Sequence, residues 1–320
     1  MKDLFKQIFN IDVLHSGMKY RLVIFGIKLT VPSLYSLKAR RNNKFHYYKK
    51  NNIDITTLPP ATGQMRDVQL ANLAILKEFD KFCRENNLTY WLEYGTFLGA
   101  VRHKGYIPWD DDIDVGMYRE DYDKFIQTFE EKCPDSNLHL VYKTNEKGMF
   151  LAKLAHKDCE ILFIDIFSHD FCKKHFSQEE KFETTERIKE LRNEFLQTYD
   201  MKKLSEKELY SNYVEFKNLH SEFENKDENK AQDLMFGIEF GHFPKGFVES
   251  YEDIFPLKEY NYEGCKFFGA NNAHNKLVGL YGEKYMEYPS ELCWGHSGYI
   301  KLSNKDKEII EIMKTRCENF

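Results

Sequence analysis

Residues 90–117, YWLEYGTFLGAVRHKGYIPWDDDIDVGM, concentrate the groups of this chain that suit metal and phosphate chemistry. Four acids, Asp110, Asp111, Asp112 and Asp114, follow Trp109. Ile113, Val115 and Met117 alternate with Asp112, Asp114 and Gly116, and a period of two predicts a strand. Residues i and i+2 of a strand share a face, so Asp112 and Asp114 project together while Ile113 and Val115 face the core. Carboxylates held that close repel one another. A hard divalent cation, usually Mg²⁺ with Mn²⁺ as an alternative, relieves the repulsion and carries phosphates as well. A solvated acidic loop is the plainer reading and suffices for Asp110 and Asp111. The alternation beyond them, and the Gly95-Thr96 pair upstream, favour a metal site.

Those side chains need elements to hold them. Residues 89–93 read as a strand, Gly95-Thr96 as a turn, and FLGAVRH as the start of a helix. Glycine lets backbone approach a ligand closely, and the free N–H groups of a helix start attract phosphate. The order strand, turn, helix, acidic strand is therefore a phosphate cradle followed by its metal. A second acid, Asp165, sits between Ile164 and Ile166 in the apolar run EILFIDIF. A carboxylate there is costly unless it is paired or binds metal. It fits as a third carboxylate beside Asp112 and Asp114, or as the partner of a lysine such as Lys153.

Around this centre, three- and four-residue apolar spacings predict helices over 65–86, 119–132 and 304–318, and a further helix over 272–283 ending at Gly282. Strands are expected at 138–143, 149–155 and 160–167. Residues 1–60 are read as an N-terminal helix (1–14), a short hairpin about Gly26 (20–31) and a basic linker with Lys38, Arg40, Arg41, Lys44, Lys49 and Lys50; Pro59-Pro60 and Gly63 close it. Residues 61–176 form the catalytic core. Residues 177–236, dense in Glu and Lys, form a helical insertion, and 237–320, with loop and short hairpin over 237–268, complete the catalytic domain. The fold class is α+β: a mixed sheet flanked by helices, with an added helical lobe.

Composition narrows the partners. An apolar share of 42% with 26 Phe and 20 Tyr belongs to a folded protein, and a net charge of −5 argues against nucleic acid. The seven cysteines are widely spaced with no CxxC pair, as expected of free thiols in a reducing compartment. His169, Cys172 and His175 have zinc-like spacing but no nearby Cys pair, so zinc is a minor reading. No apolar run approaches the roughly 20 residues that span a bilayer. A cytoplasmic location is expected; the N-terminal helix reads as packed on the domain and the basic stretch as a solvated linker, with peripheral contact to the inner membrane face through both as the alternative.

The run GTFLGAVRHKGYIPWDDDIDVGM strongly resembles the core motif of the LicD/fukutin family, GTLLGAxRxxxxIPWDDDxDxG. FIDIF is similar to that family's later acidic strand, and YEGCKFFG followed by LVGLYGEKYMEYP to its C-terminal segment. The resemblance covers residues 66–170 and 237–296. It departs at Phe267-Phe268-Gly269-Ala270-Asn271, where the family often carries an apolar-proline pair, and that bears on the acceptor-side loop. The resemblance implies a nucleotidyltransferase-like fold and metal-dependent transfer of a phospho-alcohol from a CDP-activated donor to a glycan hydroxyl, with release of CMP. Phosphocholine is the cargo expected first; glycerol-phosphate, ribitol-phosphate and phosphoethanolamine are the alternatives. Asp112, Asp114 and Asp165 would hold the metal, Asp165 doubling as a candidate base. Gly95, Thr96 and Arg102 would contact phosphate, with Lys153 a further candidate. Trp109 would wall the pocket or stack on the base, and His296 is a minor candidate for the site. Three rivals stay open: a DxD sugar-nucleotide glycosyltransferase, a nucleotidyltransferase that makes the CDP-alcohol, and a glycan-binding protein without activity.

Overall fold

One long strand organises the centre of the molecule. In the computed structural model, which describes residues 9–14, 19–24, 27–32, 44–133, 136–144, 149–200, 203–218, 223–224, 227, 232–240, 248–290 and 301–318, the order begins with strands β1 (Phe9–Leu14), β2 (Lys19–Ile24) and β3 (Ile27–Pro32). Helices α1 (Phe45–Lys50) and α2 (Gln64–Glu85) follow, then β4 (Trp91–Leu92), α3 (Tyr94–Arg102), β5 (Asp114–Tyr118) and α4 (Arg119–Lys132). Strands β6 (Leu138–Thr144), β7 (Phe150–His156) and β8 (Cys159–Cys172) form a meander. Helices α5 (Gln178–Thr198) and α6 (Glu206–Asn218) make the lobe, followed by short strands β9 (Phe223–Glu224) and β10 (Leu234–Phe236). The chain closes with α7 (Tyr251–Ile254), the hairpin β11 (Lys258–Tyr262) and β12 (Cys265–Gly269), α8 (Ala273–Tyr281) and α9 (Asn304–Glu318).

The central sheet runs β4-β5-β8-β7-β6, and β9 and β10 pair with the C-terminal half of β8. Among its described strands only β5 and β8 are parallel, with Asp114 opposite Asp165. Residues of β8 divide between two cores, as in a strand buried on both faces. Ile164 and Ile166 belong to a core built with α2, α4 and α9. Phe167 belongs to a second core with Ile188, Leu191 and Phe195 of α5 and Leu209 and Tyr213 of α6. The mixed α+β class and the helical lobe are thus as the sequence implies.

Local differences have physical causes. The N-terminal helix expected over 1–14 is absent where it is described: Phe9–Leu14 is a strand paired with Lys19–Ile24, and residues 1–8 lie outside the described residues. Phe9, Ile11 and Val13 alternate, and that period of two, with β-branched residues, prevails over the helical spacing. The two strands about Gly26 are present. In the basic stretch, Lys44 precedes α1 and Lys49 and Lys50 end it, while Lys38, Arg40 and Arg41 lie outside the described residues. The insertion is not helical throughout, because the apolar Leu234–Phe236 returns to β8 as a strand. Among the described residues, no helix is long and apolar enough to cross a membrane.

Candidate active site

A cleft of about 390 Å³ opens where α3, the loop before β5, and the segment after α8 meet. Asp110, Asp112 and Asp114 line it, with Gly95, Arg102 and Trp109 from the same motif and Tyr281 and Tyr285 from the far wall. The strand expected to carry both Asp112 and Asp114 starts only at Asp114, so Asp112 projects from the loop. Gly95 and Thr96 are not a separate turn either. They form the first turn of α3, and the sharp bend falls on Tyr94, at φ 39°. Gly95 matters through space: a Cβ there would lie 2.5 Å from an Asp110 carboxylate oxygen.

The acid loop is held from behind. Glu263, at the tip of the β11–β12 hairpin, takes a forked pair of hydrogen bonds from Arg66 at 3.0 and 2.6 Å and one from the Tyr106 amide at 3.0 Å. From α2, the Gln69 amide donates to the Asp110 carbonyl (2.7 Å) and the Asn72 amide to the Asp111 carbonyl (2.8 Å). The Thr96 hydroxyl accepts from the Asp114 amide at 2.8 Å. The sequence reading missed Gln69, Asn72 and Glu263 as parts of this centre. Two amides on the same face as Leu73 and Leu76 were the available signal for the first two, since buried polar groups need partners.

The electrostatics are those of crowded acids. Burial pushes the Asp114 carboxyl well up, and Asp112, Asp165 and Asp110 add to it. Asp165 is also raised by burial, opposed by Lys153, whose ammonium lies 2.6 Å from it. The Lys153 ammonium also sits 3.5 Å over the Phe163 ring. Arg102, which lines the same cleft, is buried, and burial lowers its pKa to about 10, which leaves it charged at neutral pH. Its guanidinium donates to the Tyr285 carbonyl at 2.5 Å and to His103 at 3.0 Å. Burial holds His103 down at about 3, so the ring is neutral and its Nε2 can accept that bond.

These residues suit a divalent metal. Several carboxylates on a half-open cleft are the oxygen donors that Mg²⁺ or Mn²⁺ takes, and their mutual repulsion is the cost a cation removes. A second cluster, Glu93, His169 and Glu249, is buried and has metal-ligand composition. Its cation is already in place: the Lys276 ammonium lies 2.7 Å from Glu93 and is hydrogen-bonded to Glu249. Lys276 and burial together account for its chemistry. The zinc spacing of His169, Cys172 and His175 is not realised as a site: His169 faces Glu249 at 3.4 Å, while His175 pairs with Asp233 at 2.8 Å. The six described cysteines are free thiols.

Of the residues singled out from sequence, the structure gathers Gly95, Arg102, Trp109, Asp112 and Asp114 around one cleft. Asp165 stands beside Asp114 in the sheet. Thr96 is buried and occupied with the Asp114 backbone, and Lys153 is committed to Asp165. Trp109 packs edge-on to Phe45 and stacks on Tyr288. Asp110, read as a loop residue, lines the cleft. His296 lies outside the described residues.

Residues 87–205 match the family model described as LicD/FKTN/FKRP, nucleotidyltransferase domain. Over 253 residues the chain is 31% identical to the lipopolysaccharide cholinephosphotransferase LicD of Haemophilus influenzae, covering 71% of this chain and 93% of that protein. The chain belongs to the LicD family. A shorter stretch of 32 residues is 62% identical to the ribitol 5-phosphate transferase FKRP of Homo sapiens and of Mus musculus, covering 10% of this chain and 6% of each relative. The described cleft brings Arg102, Trp109, Asp110, Asp112 and Asp114 around one opening.

Proposed function

We propose that this LicD-family protein transfers a phospho-alcohol, phosphocholine first among them, from a CDP-activated donor to a hydroxyl of a cell-surface glycan and releases CMP. The observation that carries it is the pairing within one cleft of an acidic wall, Asp110, Asp112 and Asp114, with the buried Arg102 guanidinium. A pyrophosphate donor needs both: cation-binding oxygens on one side and a fixed positive charge on the other. The cholinephosphotransferase and ribitol-phosphate transferase relatives support a phospho-alcohol as cargo.

In this reading Asp112 and Asp114 hold a divalent cation, with Asp165 beside them kept in place by Lys153. When bound, the cation neutralises charge on the transferring phosphoryl group and the departing phosphate. Arg102 binds and orients a phosphate oxygen, and its bonds to Tyr285 and His103 fix the guanidinium before the donor arrives. Gly95 leaves room for the Asp110 carboxylate. Trp109 walls the cleft where a base or alcohol would lie. The acceptor hydroxyl loses its proton as the phosphoryl group moves, and Asp165 is either a cation ligand or the base that takes that proton.

The test is CMP release by purified protein with Mg²⁺, a glycan acceptor and a panel of CDP-choline, CDP-ethanolamine, CDP-glycerol and CDP-ribitol. Asp112→Asn and Asp114→Asn should each reduce turnover by at least about 100-fold, as should EDTA. Asp165→Asn separates its two roles: a ligand variant binds Mn²⁺ weakly, whereas a base variant binds it normally and turns over slowly. Full activity of either the Asp112 or the Asp114 variant, or in EDTA, would exclude this mechanism. Turnover with UDP-sugars and none of the CDP donors would exclude the substrate class.

A further inference from the structure

The acid loop presents a mechanical problem that its own side chains cannot solve. Asp110, Asp112 and Asp114 crowd like charges into one cleft, and Asp165 stands beside Asp114 in the sheet. A cationic side chain holding the loop from behind would neutralise the charges a metal needs. The fold answers with neutral donors. Gln69 and Asn72 lie three apart on α2, on one helical face, and both are buried in the first core. The Gln69 amide donates to the Asp110 carbonyl at 2.7 Å and, more weakly, to the Ile107 carbonyl at 3.4 Å. Asn72 donates to the Asp111 carbonyl at 2.8 Å, and its own carbonyl accepts from the Phe163 amide at 3.0 Å. Phe163 is two residues before Asp165 on β8. One Asn side chain therefore ties the loop carrying Asp112 to the strand carrying Asp165, with each end matched in donor and acceptor. An aspartate would keep the bond to Phe163 and set an oxygen against the Asp111 carbonyl.

We propose that Gln69 and Asn72 are positioning residues of the phosphoryl-transfer centre: their neutral amides, bonded to the Asp110 and Asp111 carbonyls, set the spacing of the loop carboxylates relative to Asp114 and Asp165. This rests on the metal-dependent reading above. Groups that orient ligands from behind change metal affinity or activity about 10–100-fold when removed, although they touch neither metal nor substrate. Leu73 and Leu76 on the same helix face are in the core, so two amides buried beside them answer a need other than packing.

The experiment is calorimetric titration of Mn²⁺ into the full chain and its Gln69→Met and Asn72→Asp variants, with thermal unfolding to confirm that each is folded. Turnover against Mn²⁺ concentration is measured in parallel. The Mn²⁺ dissociation constant and the Mn²⁺ concentration for half-maximal turnover should both rise about 10–100-fold. At saturating Mn²⁺ the donor KM should change much less. If Asn72→Asp does not fold, Gln69→Met decides, because it keeps side-chain length and apolar packing while removing the amide, both its bond to the Asp110 carbonyl and the weaker one it accepts from Arg66 at 3.3 Å. A merely structural role would lower the melting temperature and leave Mn²⁺ affinity of the folded variant at the parent value, and that result overturns the proposal. Should the parent chain bind no Mn²⁺ and Asp114→Asn turn over normally, the metal reading falls and this inference with it. Parent-like affinity in the variants beside tight binding in the parent defeats this inference alone.

Discussion

At the scale of single residues, Asp114 carries the greatest tension. It is buried at the start of β5 with Asp112, Asp165 and Asp110 as its neighbours, and its carboxyl is pushed well above the ordinary range. A carboxyl whose folded pKa is raised costs the fold nothing below its unfolded pKa, and its cost grows as pH rises from there toward the folded value. Without divalent cations, Asp114→Asn should therefore melt about 2–4 °C higher than the parent at pH 7.5. The gap should narrow as pH falls toward 5.5, because the cost of a raised carboxyl shrinks as pH approaches its unfolded value, about 4. Melting curves in EDTA at the two pH values check this, and an Asn variant that melts lower at both contradicts it. Asp112, Asp114 and Asp165 were legible as a group because acids alternating with apolar residues are visible in one dimension. The engagement of Lys153 was foreseeable only as an alternative, since its pairing with Asp165 depends on the antiparallel register of β7 and β8.

At the scale of elements, the hairpin of β11 and β12 acts as a brace for the acid loop. Its two tip residues, Glu263 (φ 51°) and Gly264 (φ 79°), both take positive φ, as the tightest hairpin turns require. This geometry aims the Glu263 carboxylate at Arg66 of α2 and at the Tyr106 amide. Gly105 leaves it room, since a Cβ there would come within 2.4 Å of the carboxylate. Glu263→Ala leaves a half-buried guanidinium and an amide without this partner. It should lower stability by about 2–3 kcal/mol in urea unfolding. Glu263→Gln should recover part of that, because the amide oxygen can still accept from Tyr106. Equal losses in both variants would show that charge alone matters. The hairpin itself was legible from its glycine and aromatic alternation. Its purpose was not, because its partners at 66 and 104–106 lie far away along the chain.

At the scale of the whole molecule, one buried ionic knot joins the lobe to the sheet. Arg119 at the start of α4 forks onto Asp170 of β8 (2.9 and 2.8 Å) and onto Glu239 (2.7 and 2.9 Å). Lys217 of α6 reaches Asp170 at 3.1 Å. Burial alone would raise the Asp170 carboxyl, yet Arg119 and Lys217 hold it down at about 2. A depressed carboxyl contributes stability that is full above its unfolded pKa, about 4, and is lost as pH falls toward the folded value. The parent should therefore lose the contribution of Asp170, about 2 kcal/mol, between about pH 4 and pH 2. Asp170→Asn should cost about 3–5 kcal/mol at pH 7, because it leaves buried cations short of a partner, and should show a shallower loss over the same acid range. Urea unfolding from pH 2 to 7 measures both, and parallel pH profiles for parent and variant would exclude the knot as a source of acid sensitivity.

The amino-acid sequence by itself determined the local periods. It showed the amphipathic helices 64–85 and 119–132, the helix that stops at Gly282, the apolar strand around Asp165 and the acid run after Trp109. Those follow from neighbours a few residues apart, and the family resemblance rested on the same contiguous blocks. Only the tertiary structure decided which polar groups meet: Arg102 in one cleft with the acids, Asp165 on Lys153, Lys276 between Glu93 and Glu249, Arg119 between sheet and lobe. Such pairings depend on strand register and helix rotation, to which a one-dimensional pattern is blind. So the cleft's first wall could be read from residues 90–117 alone. The amides of Gln69 and Asn72 that hold it in shape could be seen only once α2 was laid against it.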